Sequence, residues 1–217
     1  MSNEKKTTKD KLVEAACEVF SEKGYRDSTI ADICSLSGCN IAAVNYHFGD
    51  KEKLYACAWR HAFDTSLKAY PPDGGLPEDA PAAEKLRVRI NSLINRILDN
   101  GKVGYFSRML FAEMANPTNA IDSVIEEAVM PQRQKMRQII SELLGKAATE
   151  ENVCLCAICI MNICSTFAVH NCLRKKLFMP DGKMSIDKKR LAEHIYTFAI
   201  GGIDECRRKW LEEHPND

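Results

Sequence analysis

The chain has 217 residues and a mass of 24.4 kDa, enough for one domain with an appendage or for two small domains. At 45% hydrophobic and 28% charged it has the apolar material for a core and is no disordered tail. Lys+Arg and Asp+Glu number 30 each, so the formal net charge of +0 excludes polyelectrolyte binding through bulk charge but not a local basic surface. Ten cysteines would suit a disulfide framework, yet they fall inside helical patterns, and the polar, lysine-rich Met1–Lys11 is no secretory signal. Free buried thiols in a reducing cytoplasm are expected.

Strand signals are nearly absent and helical periodicity is nearly continuous, which predicts an all-α fold. A first helix begins at Thr7 or Thr8, either of which can cap it, and buries Leu12, Ala15, Ala16, Val19 and Phe20 at i, i+3, i+4, i+7, i+8 spacing. Gly24 ends it. Thr29 caps a short second helix, with Asp32 three residues on as an acidic capping box, and Ile30, Ile33 and Cys34 facing inward. Gly38 breaks that helix, and Asn40 caps a third from Ile41 to about His47. Phe48-Gly49-Asp50 forms a turn, from which Asp50 caps a fourth helix, Lys51 to about Tyr70. Pro71 to Pro81, rich in Pro, Gly and acids, is a surface loop. Helical segments follow at about 82–99, 102–115, 119–144, 150–176 and 186–213, with Pro131 expected to kink or split the third of these. Val153 to Val169 carries no charge, but it is shorter than the roughly 20 apolar residues of a spanning helix. A helix buried on all sides, in a core or a dimer interface, is expected there.

Residues 29–48, TIADICSLSGCNIAAVNYHF, have the layout of a helix-turn-helix. Cys34 is small enough for two helices to approach, Gly38 can take a positive φ in the turn, and Ile33 and Val44 can meet at the crossing. Winding the third helix at about 100° per residue places Ile41 and Phe48 within about 60° of Val44, in the core. Ala42 and Tyr46 fall near the opposite pole, with Asn45 and Ala43 on the flanks and His47 at the boundary. Small residues, an amide and a phenol make a face that can enter a major groove: Ala42, Ala43 and Asn45 toward bases, Tyr46 toward phosphate. Thr29 and Lys51, at helix starts, are placed to meet phosphates. Charge does not help. Residues 1–55 hold eight Lys/Arg against nine Asp/Glu, a net of −1, so a phosphate-binding surface must come from segregating Lys5, Lys6, Arg26 and Lys51 on one side.

Residues 8–55 resemble the DNA-binding domain of the TetR (tetracycline repressor) family of bacterial regulators. The carrying residues are the Leu12–Phe20 helix, Gly24-Tyr25, Ser28-Thr29-Ile30, Ile33, Gly38 and the run from Val44 to Glu52. The family usually has Tyr where Asn45 stands. The string VNYHFGDKE is similar to a CecR-like branch that carries Asn there, and LAEHIYTFAIGGI is compatible with it. The resemblance implies a helix-turn-helix DNA-binding domain at 1–55 and a helical dimerisation and effector-binding domain at 56–217. It implies a homodimer that binds a near-palindromic operator on double-stranded DNA as a repressor and answers to a small molecule.

The residues beyond 55 bear on that expectation independently. Leu191, Ile195, Phe198, Gly202 and Cys206 form one stripe of the last helix, with Ala199 and Ile203 beside it. Gly201-Gly202 in mid-helix costs about 1 kcal/mol each against Ala, which close helix approach would justify. Together with Val153–Val169 this suggests a four-helix interface, though a monomer core would use the same residues. Phe106, Met109, Leu110 and Phe111, with Asn162, Phe167 and His170, could line an apolar pocket or simply be core. Cys154, Cys156, Cys159, Cys164 and Cys172 hint at soft-metal ligands, but Cys154 and Cys156 point about 200° apart on a helix and only one CxxC exists. No metal, no cofactor and no membrane partner is expected. Nor is an enzyme, since there is no phosphate-cradling glycine loop, nucleophile elbow or HExxH.

Overall fold

The computed structural model of the chain describes residues 6–167 and 187–215, and its described residues are helical with no strand. Two compact units divide it: Met1–Ala69 with Asp99–Val129, and Tyr70–Leu98 with Met130–Asp217. This differs from a division at 55/56. The fourth helix runs unbroken through that point, and the chain returns at 99–129 to complete the first unit's core.

In the first unit, α1 (Thr8–Asp27) opens on a full capping box: Asp10 N–H donates to Thr7 Oγ1 at 3.2 Å, and Thr7 N–H donates to Asp10 Oδ2 at 3.1 Å. All five expected core residues of this helix are buried, joined by Val13 and Cys17. Gly24 interrupts the helix at φ 71°, after which the chain stays helical to Asp27. Next come α2 (Ile30–Ser37) and α3 (Ile41–His47), capped by Thr29 and Asn40 as expected. Gly38 closes α2 in the left-handed region at φ 69°, and its N–H donates to the Cys34 carbonyl. Then α4 (Lys51–Ala69) starts with Lys53 N–H donating to Asp50 Oδ1 at 2.8 Å. A 3₁₀ turn at Lys102–Gly104 leads into α6 (Tyr105–Ala115), and α7 (Asp122–Val124) runs into a π-helical turn at Ile125–Val129.

The core of this unit is aromatic along α4. Trp59 and Phe63 meet Phe106 edge-on at 5.0 and 4.9 Å, and Phe20 meets Tyr55 at 4.7 Å. Ile33, Cys34, Val44 and Phe48 seat the helix-turn-helix on the same core. Ile41 does not join them. It is 55% exposed, because the first residue of a seven-residue helix has no turn before it to carry its side chain back over the crossing.

The second unit comprises α5 (Ala82–Ile97), α8 (Met130–Leu144), α9 (Glu150–Thr166) and the long C-terminal α10 (Lys188–Glu213). Leu86, Ile90 and Ile94 of α5 pack with Ile140, Leu144, Val153, Ile160, Leu191 and Ile195. Pro131 splits the 119–144 segment as expected. It has no N–H for the Glu127 carbonyl, and the widened π turn immediately precedes it. The segment expected at 150–176 is helical to Thr166, and its remainder lies outside the described residues from 168 on.

Within the single chain α9 is covered on one side, so of the two settings expected for it, a core or a dimer interface, the described residues do not form the all-round core. Val153, Cys156, Ile160 and Cys164 are buried, whereas Leu155, Ile158, Cys159 and Asn162 are exposed. Among the described residues no helix is long and apolar enough to cross a membrane, no group of side chains could hold a metal ion, and nine cysteines are free thiols.

Gly38→Ala tests the turn directly. A Cβ there meets nothing within 4 Å, so the cost is the left-handed backbone alone. The substitution is expected to lower stability by about 1 kcal/mol in urea titration.

Candidate DNA interface

The third helix is held by its back and presents its front. Val44 and Phe48 are buried, and Asn40 Oδ1 accepts from Ala43 N–H at 2.9 Å to fix the first turn. Ala42, Asn45 and Tyr46 are exposed, Tyr46 to 86%, while Ala43 and His47 are half-buried on the flanks. His47 sits edge-on to the Tyr46 ring at 5.0 Å. Ile41 extends the outward face at its N-terminal end, and with a seven-residue helix this is the end that can reach deepest. Sequence periodicity placed Ile41 in the core, whereas its side chain is exposed and available as an apolar surface of the kind that can meet a thymine methyl.

Thr29 and Lys51 stand differently from expectation. The Thr29 hydroxyl donates to Asp32 Oδ2 at 2.8 Å and accepts from Asp32 N–H at 3.1 Å, and Asp32 in turn pairs with Lys23 at 3.0 Å. This hydroxyl is committed to its cap. Lys51 is half-buried: its ammonium donates to the Tyr25 carbonyl and to the Ser28 carbonyl, the latter at 2.6 Å, and lies 4.5 Å from the centre of the Tyr25 ring. Burial lowers its pKa, while Asp27 favours its charge. The ammonium thus neutralises carbonyls left over at the end of α1 instead of reaching outward.

The expected basic side does not assemble either. Lys6 pairs with Glu14 at 2.6 Å, and Lys5 lies outside the described residues. Of the four cations, Arg26 is the exposed one without an ion pair among the described residues. Lys9 and Lys11 of α1 are also exposed without an ion pair among the described residues, so the cations open to phosphate are only in part the ones the sequence pointed to.

Behind the reading helices lies a buried polar contact that residue spacing had not flagged. Glu113 of α6 is 7% exposed and accepts from Tyr55 Oη at 2.7 Å, Thr118 N–H at 2.8 Å and Thr118 Oγ1 at 3.0 Å. Burial and the Glu113 carboxylate raise the Tyr55 pKa. Tyr55 packs on Tyr25 at 4.8 Å, under Lys51. A continuous set of contacts therefore joins α6 to the start of α2. The signal available in sequence was a carboxylate on the buried stripe Phe106, Met109, Glu113.

The residues expected around a pocket split between the units. Phe106, Met109 and Leu110 belong to the first core, and Phe111 is half-buried on the same helix. Phe167 packs on the second core, and Asn162 is exposed on α9. His170 lies outside the described residues.

This arrangement of a capped three-helix head with a free outward helix, followed by a larger helical part, matches known regulators. Residues 12–57 match the family described as bacterial regulatory proteins, tetR family. The chain belongs to that family and is a DNA-binding transcriptional regulator. Residues 82–203 match the family described as the C-terminal domain of the HTH-type transcriptional dual regulator CecR, which places the chain in the CecR-like branch. The CecR of Shigella flexneri is 26% identical over 155 residues, 68% of this chain and 69% of that protein. The transcriptional repressor NicS of Pseudomonas putida is 36% identical over 56 residues, a match that spans 26% of each protein. In fold, the transcriptional regulator FadR from Bacillus subtilis, solved in complex with stearoyl-CoA, superposes with a TM-score of 0.63 at 18% identity, covering 88% of this chain and 97% of that one.

The caps make the head sensitive to acid. Hydrogen bonds to Thr7 lower the Asp10 pKa, Lys23 and then Thr29 lower that of Asp32, and Lys53 lowers that of Asp50, each from 3.8. A carboxylate whose folded pKa lies below its unfolded value contributes stability that is complete above the unfolded value and lost as pH falls through the folded one. Urea midpoints are therefore expected to hold from pH 7 to about 4.5 and to fall steeply below about pH 4. Asp32→Asn should make that fall shallower. An identical pH profile in the variant would show that this carboxylate is not involved.

Proposed function

We propose that the protein is a ligand-responsive repressor of the bacterial cytoplasm that binds a near-palindromic operator as a homodimer. The observation that carries this reading is a set of apolar side chains on α9 and α10 that stand exposed among the described residues. Leu155 and Ile158 are about half exposed and Phe198 is 68% exposed. Beside Phe198, a Cβ on Gly201 or Gly202 would meet nothing within 4 Å. Two adjacent glycines in mid-helix lower helix stability and no described residue of the subunit requires them, but a second copy crossing closely there would. Two helices from each subunit would form a four-helix interface and set the two reading heads about one DNA turn, roughly 34–36 Å, or a multiple apart.

Repression is supported by the names of the relatives matched in the head, NicS among them. Response to a small molecule is supported by the structural likeness to FadR, whose structure holds stearoyl-CoA. A ligand that favours one separation of the two heads would weaken operator binding, and the operator would weaken ligand binding by the same factor.

Within the head, we assign Ala42, Ala43, Asn45 and Ile41 to base edges, and Tyr46, His47 and the Thr29 end of α2 to the backbone. Lys51 is assigned to positioning.

Phe198→Glu should give a monomer in analytical ultracentrifugation and lower operator affinity roughly tenfold or more, because the two half-sites would no longer be bound as one. A variant that remains dimeric would overturn the interface. Asn45→Ala should relax preference at one or two positions per half-site, losing about 1–3 kcal/mol of discrimination in selection from a randomised operator. Lys51→Met should cost about 1–2 kcal/mol of stability and leave the salt dependence of DNA binding unchanged. A slope lower by about one unit would make Lys51 a phosphate contact after all.

A further inference from the structure

Four cations lie on α5, and two of them, the half-buried Lys85 and the exposed Arg87, have acidic partners. Lys85 pairs with Glu142 at 3.9 Å. Arg87 pairs with Glu193 at 3.7 Å and stacks over the Tyr196 ring at 4.5 Å. The other two, Arg89 and Arg96, are more deeply placed and have no ion pair among the described residues. Arg89 is 7% exposed, and its Nη2 donates to the Gln132 carbonyl at 3.0 Å and to Gln132 Oε1 at 2.9 Å, both neutral acceptors. Arg96 donates through Nε to the Ser92 carbonyl of its own helix at 3.4 Å.

Arg89 departs from the usual rule that a buried charge is paired. The two guanidiniums also share a helix face. Seven residues are two turns, about 20° short of exact register, so they stand one above the other with Ser92 between them. Ser92 is itself buried and spends its hydroxyl on the Tyr70 carbonyl at 2.7 Å, so it offers no proton to either. Burial lowers the pKa of both. Asp73, which is exposed, is what favours the Arg89 charge, and the Arg89 charge further depresses Arg96, to about 10.

Nor is this pair sealed. Among the described residues the one fully enclosed side-chain nitrogen without a partner is Trp59 Nε1. The remaining nitrogens of Arg89 and Arg96 are therefore open donors on a shared face. A guanidinium is not deprotonated at neutral pH, and an anion brought to these donors would compensate the two charges more closely than the exposed Asp73 does.

We propose that Arg89 and Arg96 form a binding site for the anionic group of the effector, an oxyanion carried as a carboxylate or a phosphate. The site rests on the ligand-responsive reading above and gives it a chemical class: an acid, not a neutral or cationic molecule. Planar forks suit bidentate contact with either oxyanion, and the Gln132 contacts hold the Arg89 fork in one orientation.

The test uses the full-length protein, with melting midpoints measured at constant ionic strength in decanoate, inorganic phosphate, decanol and chloride. Decanoate or phosphate is expected to raise the midpoint by roughly 3 °C at about ten times its dissociation constant, whereas decanol and chloride leave it unchanged. A response to decanoate alone assigns a carboxylate, and a response to phosphate alone assigns a phosphate. Arg96→Met removes one uncompensated charge and keeps the stem. It should melt at or above the unmodified midpoint without ligand and lose the anion response, and Arg96→Lys should retain part of it. Arg89→Met should also lose the response.

A destabilised Arg96→Met that keeps its full anion response would overturn the site, as would equal shifts with decanol. The same anions are then added to the protein on operator DNA. Arg96-dependent binding that leaves DNA affinity unchanged keeps the site and overturns ligand control. Absence of anion binding overturns the site and leaves ligand control by another class of molecule standing.

Discussion

The reading head depends on one ammonium. At the end of α1 the chain must stop, turn and start α2 within a few residues, leaving the carbonyls of Tyr25 and Ser28 without helical partners. Lys51, from the first turn of α4, supplies donors to both and lies over the Tyr25 ring. One side chain thereby ties the end of α1, the start of α2 and the start of α4. Remove that tie and the crossing of α2 with α3 loses its fixed base, although every hydrophobic contact beneath it could persist. Tyr55 and Glu113 extend the same constraint from below, since Tyr25 rests on Tyr55 and Tyr55 donates to Glu113. A buried carboxylate with three donors is well satisfied and therefore stiff, which suits a base on which a recognition helix is mounted.

The features legible in sequence were the local ones. Thr7, Thr29, Asn40 and Asp50 cap the helices that their positions foretold, because a capping side chain acts within three residues and needs nothing distant. The buried stripe Leu12–Phe20 was legible for the same reason. The failures lie where a neighbour not adjacent in sequence decides. Ile41 lies at the right angle for the core, but a wheel assumes an endless helix and α3 has seven residues. Lys51 looked like a free cation at a helix start, and only the fold brings carbonyls 23 and 26 residues earlier against it. Val153–Val169 is uniformly apolar, so its periodicity could not tell a covered face from an uncovered one.

Neutral composition has a consequence for how this head finds its site. Lys6, Lys23, Lys53 and Lys102 are paired with acids and Lys51 is turned inward, whereas Lys9, Lys11 and Arg26 are exposed without an ion pair among the described residues. A few such cations supply a modest counterion-release term, and discrimination depends on base-edge contacts and on fit. In the proposed homodimer the two heads must then be held at a fixed spacing.

That requirement gives the glycine pair its meaning. An exposed Phe198 alone would be unremarkable, because single exposed apolar residues are common on any surface. Gly201 and Gly202 are different, since they forgo helix stability and side-chain contacts at a place where the subunit itself offers open space. On the buried side of the same helix, Leu191, Ile195, Ala199 and Ile203 pack without any glycine, so close approach is required only on the outer side. In the proposed homodimer, a helix crossing over glycine would fix the spacing of the heads more rigidly than one cushioned by long side chains, because backbones in contact leave little freedom to slide. The sequence thus invests in rigidity at two points, beneath the recognition helix and at the uncovered helix face. In α5 it also buries Arg89 without an ion pair among the described residues.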